Sequence, residues 1–131
     1  MNYFDHEKMD AYNLTIDFVA LADEVVNDLP RGRAYLADQL RRACTSIALN
    51  IAEGAGEFAR DEKARFYRMA KRSATECAAV LDVCRRLELA NSKQLDAGRD
   101  LLLRIVSMLI PLIRRMTGRS GTGTGTGTGT V

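Results

Sequence analysis

His6 is the only imidazole in this 131-residue sequence, and Cys44, Cys77 and Cys84 are its only thiols. The three cysteines lack the paired spacing of a zinc site, and one histidine cannot complete a Cys/His ligand set. A Cys–His or Ser–His dyad would have to run through His6, which sits in the polar opening MNYFDHEKMD. A lone histidine in such a turn is ordinarily a solvated side chain. The cysteines fall on apolar helical faces, where a free thiol behaves as a small hydrophobe. No metal, cofactor or catalytic residue is expected from these groups.

Two other patterns have chemical content. The first is a polar line on one helix. At 100° per residue Gln39, Ser46, Asn50 and Glu53 share a narrow face beside an apolar stripe. Polar groups at a packing edge must find hydrogen bonds. The expectation is an interhelical network that sets register, with Gly54 closing the helix. Neither a nucleophile–base pair nor a second inward carboxylate accompanies it. Gly54 and Gly56 do not form a phosphate loop, because no strand precedes them and no Gly-Lys-Ser/Thr follows.

The second pattern is basic. Arg65, Arg68 and Arg72 lie in a narrow arc away from the apolar side of their helix, extended by Arg86 and flanked by Arg60 and Lys71. Arg41 and Arg42 come from the preceding helix. If that helix ends at Glu53, the hairpin brings Arg41 to the level of Arg72. Several fixed positive charges bind phosphates with release of counterions. The same arginines can equally be a solvated bundle surface. Asp61 interrupts the arc and no aromatic interleaves it, so any preference among nucleic-acid sequences is expected to be weak.

Four helical segments must carry these residues. Apolar periodicity places them at about 5–28, 33–53, 60–89 and 92–117. Asp5 and Ser92 are the expected N-caps of the first and fourth, and Leu29-Pro30-Arg31-Gly32 and Gly118 are stops. In the second helix Leu36, Leu40, Cys44, Ile47 and Ile51 form one stripe. In the third, Phe66, Ser73, Val80 and Leu87 interleave with Ala70, Cys77 and Cys84. In the fourth, Leu95, Leu102, Leu109 and Met116 interleave with Gly98, Ile105 and Leu112. Pro111 removes one backbone hydrogen bond and is expected to kink that helix near Ser107. Short connections make sequential helices antiparallel neighbours. The predicted fold is all-α, an antiparallel up-down four-helix bundle over residues 1–120. The remaining GTGTGTGTGTV, residues 121–131, reads as a disordered low-complexity tail.

The first helix shows two apolar faces. Leu14, Phe18, Leu21 and Val25 form one; Met9, Tyr12, Ile16, Val19 and Val26 form the other, with Asp10, Asp17, Glu24 and Asp28 in a stripe between them. A corner helix of a monomer needs one stripe. The second face, with Tyr12, Ile16, Val19 and Val26, is therefore the expected oligomer interface, the alternative being packing on the basic end of the fourth helix. Residues 1–30 carry one Lys against seven acids, whereas residues 31–120 carry eighteen bases against ten acids. That asymmetry suits charge-complementary contacts or a basic partner-binding face. No apolar run approaches the roughly twenty residues of a membrane span, and the N-terminus is too polar for a signal peptide. A cytoplasmic location without membrane contact is expected.

The string QLRRACTSIALNIAEGAGE, preceded by FDHEKMDAY and LPRG and followed by FARDEKARFYRMAKRSATE, resembles the four helix bundle protein family, often encoded in intervening sequences of bacterial 23S ribosomal RNA genes. The resemblance covers about residues 4–117. It implies a four-helix bundle assembling into a ring-like homopentamer, and no established enzymatic activity. It also implies kinship with the accessory variability determinant protein of diversity-generating retroelements, a basic pentamer that binds nucleic acid and a reverse transcriptase. By that analogy the partners are further copies of the chain, RNA or DNA, and a protein such as a reverse transcriptase. Ala59 stands where the family often has Ser, weakening the N-cap of the third helix, while Glu62 keeps its first turn acidic. The Gly-Thr tail has no counterpart in the family. The leading reading is a non-enzymatic oligomeric scaffold whose basic surface contacts nucleic acid; the rival is a protein–protein adaptor.

Overall fold

The computed structural model describes residues 2–118; the Gly-Thr segment lies outside the described residues. Among these, the chain forms a 3-10 turn, Asp5–Lys8, and four helices: α1 (Asp10–Asp28), α2 (Ala34–Gly56), α3 (Arg60–Arg86) and α4 (Ser92–Thr117). Each helix packs on its two neighbours in a closed order, α1 on α2 and α4, and α3 on α2 and α4. This is the up-down bundle that short connections dictate.

Core packing follows the stripes, with one shift. Leu36, Leu40, Cys44, Ile47 and Ile51 of α2 are all buried, as are Leu95, Gly98, Leu102, Ile105 and Leu109 of α4. On α3 the buried seam is Tyr67, Ala74 and Leu81 interleaved with Ala70, Cys77 and Cys84. Of the predicted series Phe66, Ser73, Val80 and Leu87, only Val80 is buried, and Leu87 is 44% exposed. Moving one of the two interleaved series by one position, while Ala70, Cys77 and Cys84 stay, turns the seam by about 50° and brings Tyr67, Ala74 and Leu81 inward. Phe66 is left at the edge facing α2.

The helix ends also depart from expectation. The chain does not enter α1 at Asp5. It makes the 3-10 turn, in which the Glu7 carboxylate accepts from the Phe4 amide at 2.7 Å, and then breaks at extended Met9. His6 sits in this turn, 5.8 Å from the Phe4 ring and edge-on to Tyr12 at 4.5 Å. Gly32 has φ +93°, a left-handed conformation that glycine adopts without steric cost. Helix α2 passes through Gly54 and stops only at Gly56. Gly54 is buried, and a Cβ there would lie 2.7 Å from Tyr67 Cε1, so its role is close approach of α2 to α3. Helix α3 stops at Arg86. Leu89 N–H bonds Cys84 C=O and Glu88 N–H bonds Arg85 C=O, with Glu88 at φ 55°, a reversal usually given to glycine. The N-cap of α4 is Asn91, one residue before Ser92; its Oδ1 accepts from the amides of Lys93 at 2.7 Å and Gln94 at 3.3 Å. Helix α4 runs on through Pro111. Ser107 and Pro111 are both exposed, so the carbonyl that Pro111 leaves without a donor lies on the solvent side.

Candidate nucleic-acid interface

The register of α2 on α3 decides which basic residues share a surface. Gln39 Nε2 donates to Glu76 Oε2 at 2.6 Å, Ser73 Oγ donates to Ser46 Oγ at 2.9 Å, and Gly54 abuts Tyr67 and Phe66. These contacts set Arg72 level with Ile47 and Arg68 level with Ile51. Arg41 falls opposite the Ala74–Ala78 stretch, roughly 3–9 Å further along the bundle than the expected position beside Arg72, at 1.5 Å rise per residue. The cause is the extra turn of α2: the hairpin reverses after Gly56, not after Glu53.

The basic residues divide by what they already touch. Arg65 is committed to its own helix: its guanidinium bonds Glu62 Oε1 at 3.0 Å and lies 4.5 Å above the Phe66 ring, and the Glu62 carboxylate raises its pKa further. Arg60 donates to the Arg115 carbonyl, at the C-terminal end of α4. Lys63 does the same for α2, its Nζ donating to Gly54 O at 3.1 Å and Ala55 O at 3.0 Å. The first turn of α3 therefore supplies cations to the negative C-terminal ends of both neighbouring helices, where orphan carbonyls and the macrodipole favour them. Arg41 makes only a 3.9 Å contact with exposed Asp38. Among the described residues Arg42, Arg68, Lys71 and Arg72 have no carboxylate within 4 Å. Arg42, Arg68 and Arg72 are exposed and Lys71 is half-buried.

The polar line does not form one network. Asn50 Nδ2 donates within its own helix, to Ser46 O at 2.9 Å and Ser46 Oγ at 3.0 Å. The Gln39–Glu76 bond is separate and exposed, and Glu53 is exposed with no hydrogen bond among the described residues. Of this line, among the described residues, only Ser46 and Gln39 bond across to another helix, to Ser73 and Glu76 of α3.

Along this line runs a groove of about 650 Å³, lined by Arg41, Arg42, Thr45, Ser46, Leu49, Asn50 and Glu53 of α2 and by Phe66 of α3. Thr45, Leu49 and Phe66 were not legible as groove residues. Arg42, Leu49 and Glu53 do recur at helical spacing on one outer face, but Phe66 joins them only through the shifted seam of α3.

The expected oligomer face is split. Leu21 and Phe18, of the first face, approach Gly98 of α4. Val26 is 6% exposed within the chain's own core, which removes it from any intersubunit surface. Tyr12 and Val19 are half-buried against that core, and only Ile16, 44% exposed, presents substantial apolar surface. The thiols are internal: Cys44, Cys77 and Cys84 are buried and unpaired, and burial pushes all three pKa values up. Among the described residues no cluster of three His, Cys, Asp or Glu side chains is placed to hold a metal. No helix there is long and apolar enough to cross a membrane.

The model of the 23S rRNA-intervening sequence protein family matches residues 7–111, which is most of the chain. The chain belongs to that family. A solved structure of similar fold is a protein of unknown function from the S23 ribosomal protein family of Bacteroides thetaiotaomicron. It is 21% identical, superimposes with a TM-score of 0.73, and the match covers 79% of this chain and 98% of that one. At that identity the likeness shows the fold alone. No curated protein matches the chain. The family match names no catalytic activity.

Proposed function

We propose that this bundle is a non-catalytic cytoplasmic scaffold that binds nucleic acid through the α2–α3 face and works as a homo-oligomer. The observation that carries the reading is the set Arg42, Arg68, Lys71 and Arg72, cations without carboxylate partners among the described residues, on the two helices that border the groove. Fixed cations unengaged by the protein's own acids are the ones a phosphate backbone can take up. Arg60 and Arg65, engaged with Arg115 O and Glu62, contribute less. A ring of copies, as in the pentamer that the family resemblance implies, would multiply the surface by the number of subunits, and Ile16 offers the apolar contact for it. A protein–protein adaptor is the second reading, favoured by Phe58, which stands 98% exposed in the α2–α3 connection.

The test is a salt titration of binding to a mixed RNA and DNA panel, comparing wild type with the Arg42→Ser/Arg68→Ser/Arg72→Ser variant. Every arginine that neutralises a phosphate steepens the slope of log affinity against log salt by roughly 0.7 on single strands and 0.9 on duplex DNA, so its replacement flattens the slope by the same amount. Identical slopes would show that these arginines do not bind phosphate. Absence of binding at low salt would transfer the reading to the adaptor.

A further inference from the structure

We propose that the α2–α3 groove is a base-recognition site for single-stranded nucleic acid, holding one unpaired base at its Phe66 end, with a backbone phosphate further along the same strand at its Arg41–Arg42 end. This rests on the nucleic-acid reading above and makes it more specific. The groove is a shallow depression of about 650 Å³, largely open to solvent. Its two ends differ chemically. Arg41 and Arg42 close one end, and Asn50, Glu53 and Phe66 define the other. Eleven residues of α2 separate Arg42 from Glu53, roughly 16 Å along the axis. That is room for about two nucleotides, and it keeps the Glu53 carboxylate away from the phosphate.

The Phe66 end can both stack and read. Phe66 is half-buried and held from one side by the Arg65 guanidinium 4.5 Å above the ring, while the groove receives the rest of it. Leu49, 60% exposed, adds apolar surface beside it. Aromatic rings and guanidinium planes are the platforms on which unstacked bases are held. A base inside a duplex offers neither face, so the groove selects single strands.

The donors here are engaged, Arg65 with Glu62 and Asn50 Nδ2 with Ser46, so the free hydrogen-bonding groups are acceptors. The orientation of Asn50 follows from its neighbours: the Ser46 carbonyl can only accept, so Nδ2 points to it at 2.9 Å and Oδ1 is turned away. Oδ1 receives no hydrogen bond among the described residues, and neither does the Glu53 carboxylate. Two acceptors call for a base edge with exocyclic amino donors, as in cytosine, adenine or guanine. Uracil, with one N–H between two carbonyls, would set acceptor against acceptor. Sequence-blind binding is what the arginine arc by itself would give; the groove adds a preference for amino-bearing bases.

The experiment is fluorescence anisotropy of the full chain with labelled oligo(C), oligo(U) and a duplex of equal charge, for wild type, Phe66→Leu and Glu53→Gln. Circular dichroism first establishes that each variant has wild-type helicity. The wild type should bind oligo(C) at least about fivefold tighter than oligo(U), the lower end of what a paired donor–acceptor edge discriminates. Phe66→Leu keeps the apolar volume but loses the ring, and should weaken oligo(C) about fivefold or more while leaving duplex binding unchanged. Glu53→Gln, which can donate as well as accept, should narrow the gap between C and U. If wild type binds all three probes alike with a steep salt slope and neither variant changes this, the groove is no base site and the phosphate-binding surface stands alone. If nothing binds at low salt, both readings fall.

Discussion

Replacing Gly54 by alanine sets two effects of opposite sign against each other at one atom. Helix propensity favours the change: glycine in a helix interior costs about 1 kcal/mol relative to alanine. The structure opposes it. The new Cβ would lie 2.7 Å and 2.9 Å from Cε1 and Cδ1 of Tyr67 and 3.2 Å from Cβ of Phe66. Neither neighbour is a free chain end: Tyr67 is 3% exposed within the core, and Phe66 Cβ is tied to the α3 backbone. Relief therefore requires α2 and α3 to move apart, and overpacking of that kind costs about 1–3 kcal/mol. The net expectation for Gly54→Ala is a loss of up to about 2 kcal/mol. Two residues on, Gly56 has nothing within 4 Å of its would-be Cβ. Gly56→Ala should thus keep part of the propensity gain and stabilise by a few tenths to about 1 kcal/mol. Urea denaturation followed by helical circular dichroism measures both, and the two midpoints should move in opposite directions. Adding Tyr67→Leu to Gly54→Ala should recover stability beyond additivity, because the ring atoms causing the clash are gone. If Gly54→Ala and Gly56→Ala stabilise equally, the close approach of α2 to α3 is wrong and the register built on it fails too.

Lys63→Met should destabilise by about 0.5–1.5 kcal/mol through loss of its bonds to Gly54 O and Ala55 O, whereas Arg68→Ser and Arg72→Ser should each stay within about 0.5 kcal/mol; chemical denaturation separates them. Asn50→Leu should cost little, because its hydrogen bonds are confined to its own helix and Ser46 keeps Ser73 as a partner; a large drop in melting temperature would restore the interhelical network. The thiol pKa values of Cys44, Cys77 and Cys84 are higher folded than unfolded, so the native state holds those protons longer. Stability should be flat below about pH 8 and fall as unfolded thiols ionise above it, by up to about 1.4 kcal/mol per pH unit for each thiol. A pH-independent urea midpoint between pH 8 and 10 would contradict this. Ile16→Asp should leave a helical chain and reduce the mass of any oligomer seen by light scattering; an unchanged assembly would move the contact elsewhere.

Four helices, their antiparallel order and most of the core were legible in the sequence, because those features follow from local periodicity and from connections too short to allow another arrangement. The stripes of α2 and α4 are read directly from Leu40–Ile51 and Leu95–Leu109, whose large aliphatic side chains have no other place to go. On α3 the signal was weaker: Ala70, Cys77 and Cys84 were read correctly, but Ala74 stands out little between Ser73 and Thr75, so Phe66 and Val80 drew the other series one residue early. The end of α2 was hidden for a related reason. Glycine usually terminates a helix, and only the ring of Tyr67, contributed by the next helix, shows that Gly54 continues one.

The site shows the same division. The sequence by itself determined which cations and polar groups each helix carries and roughly which way they face. Only the tertiary structure decided their partners: Arg60 and Lys63 go to the ends of neighbouring helices, and Val26 goes into the core. It also set Arg41 apart from Arg72 and put Phe66 in the wall of the α2–α3 groove. Helical phase is a property of one segment and survives in its periodicity. Axial register between two helices depends on where their shared hairpin reverses and on which side chains interlock, and no single segment encodes it.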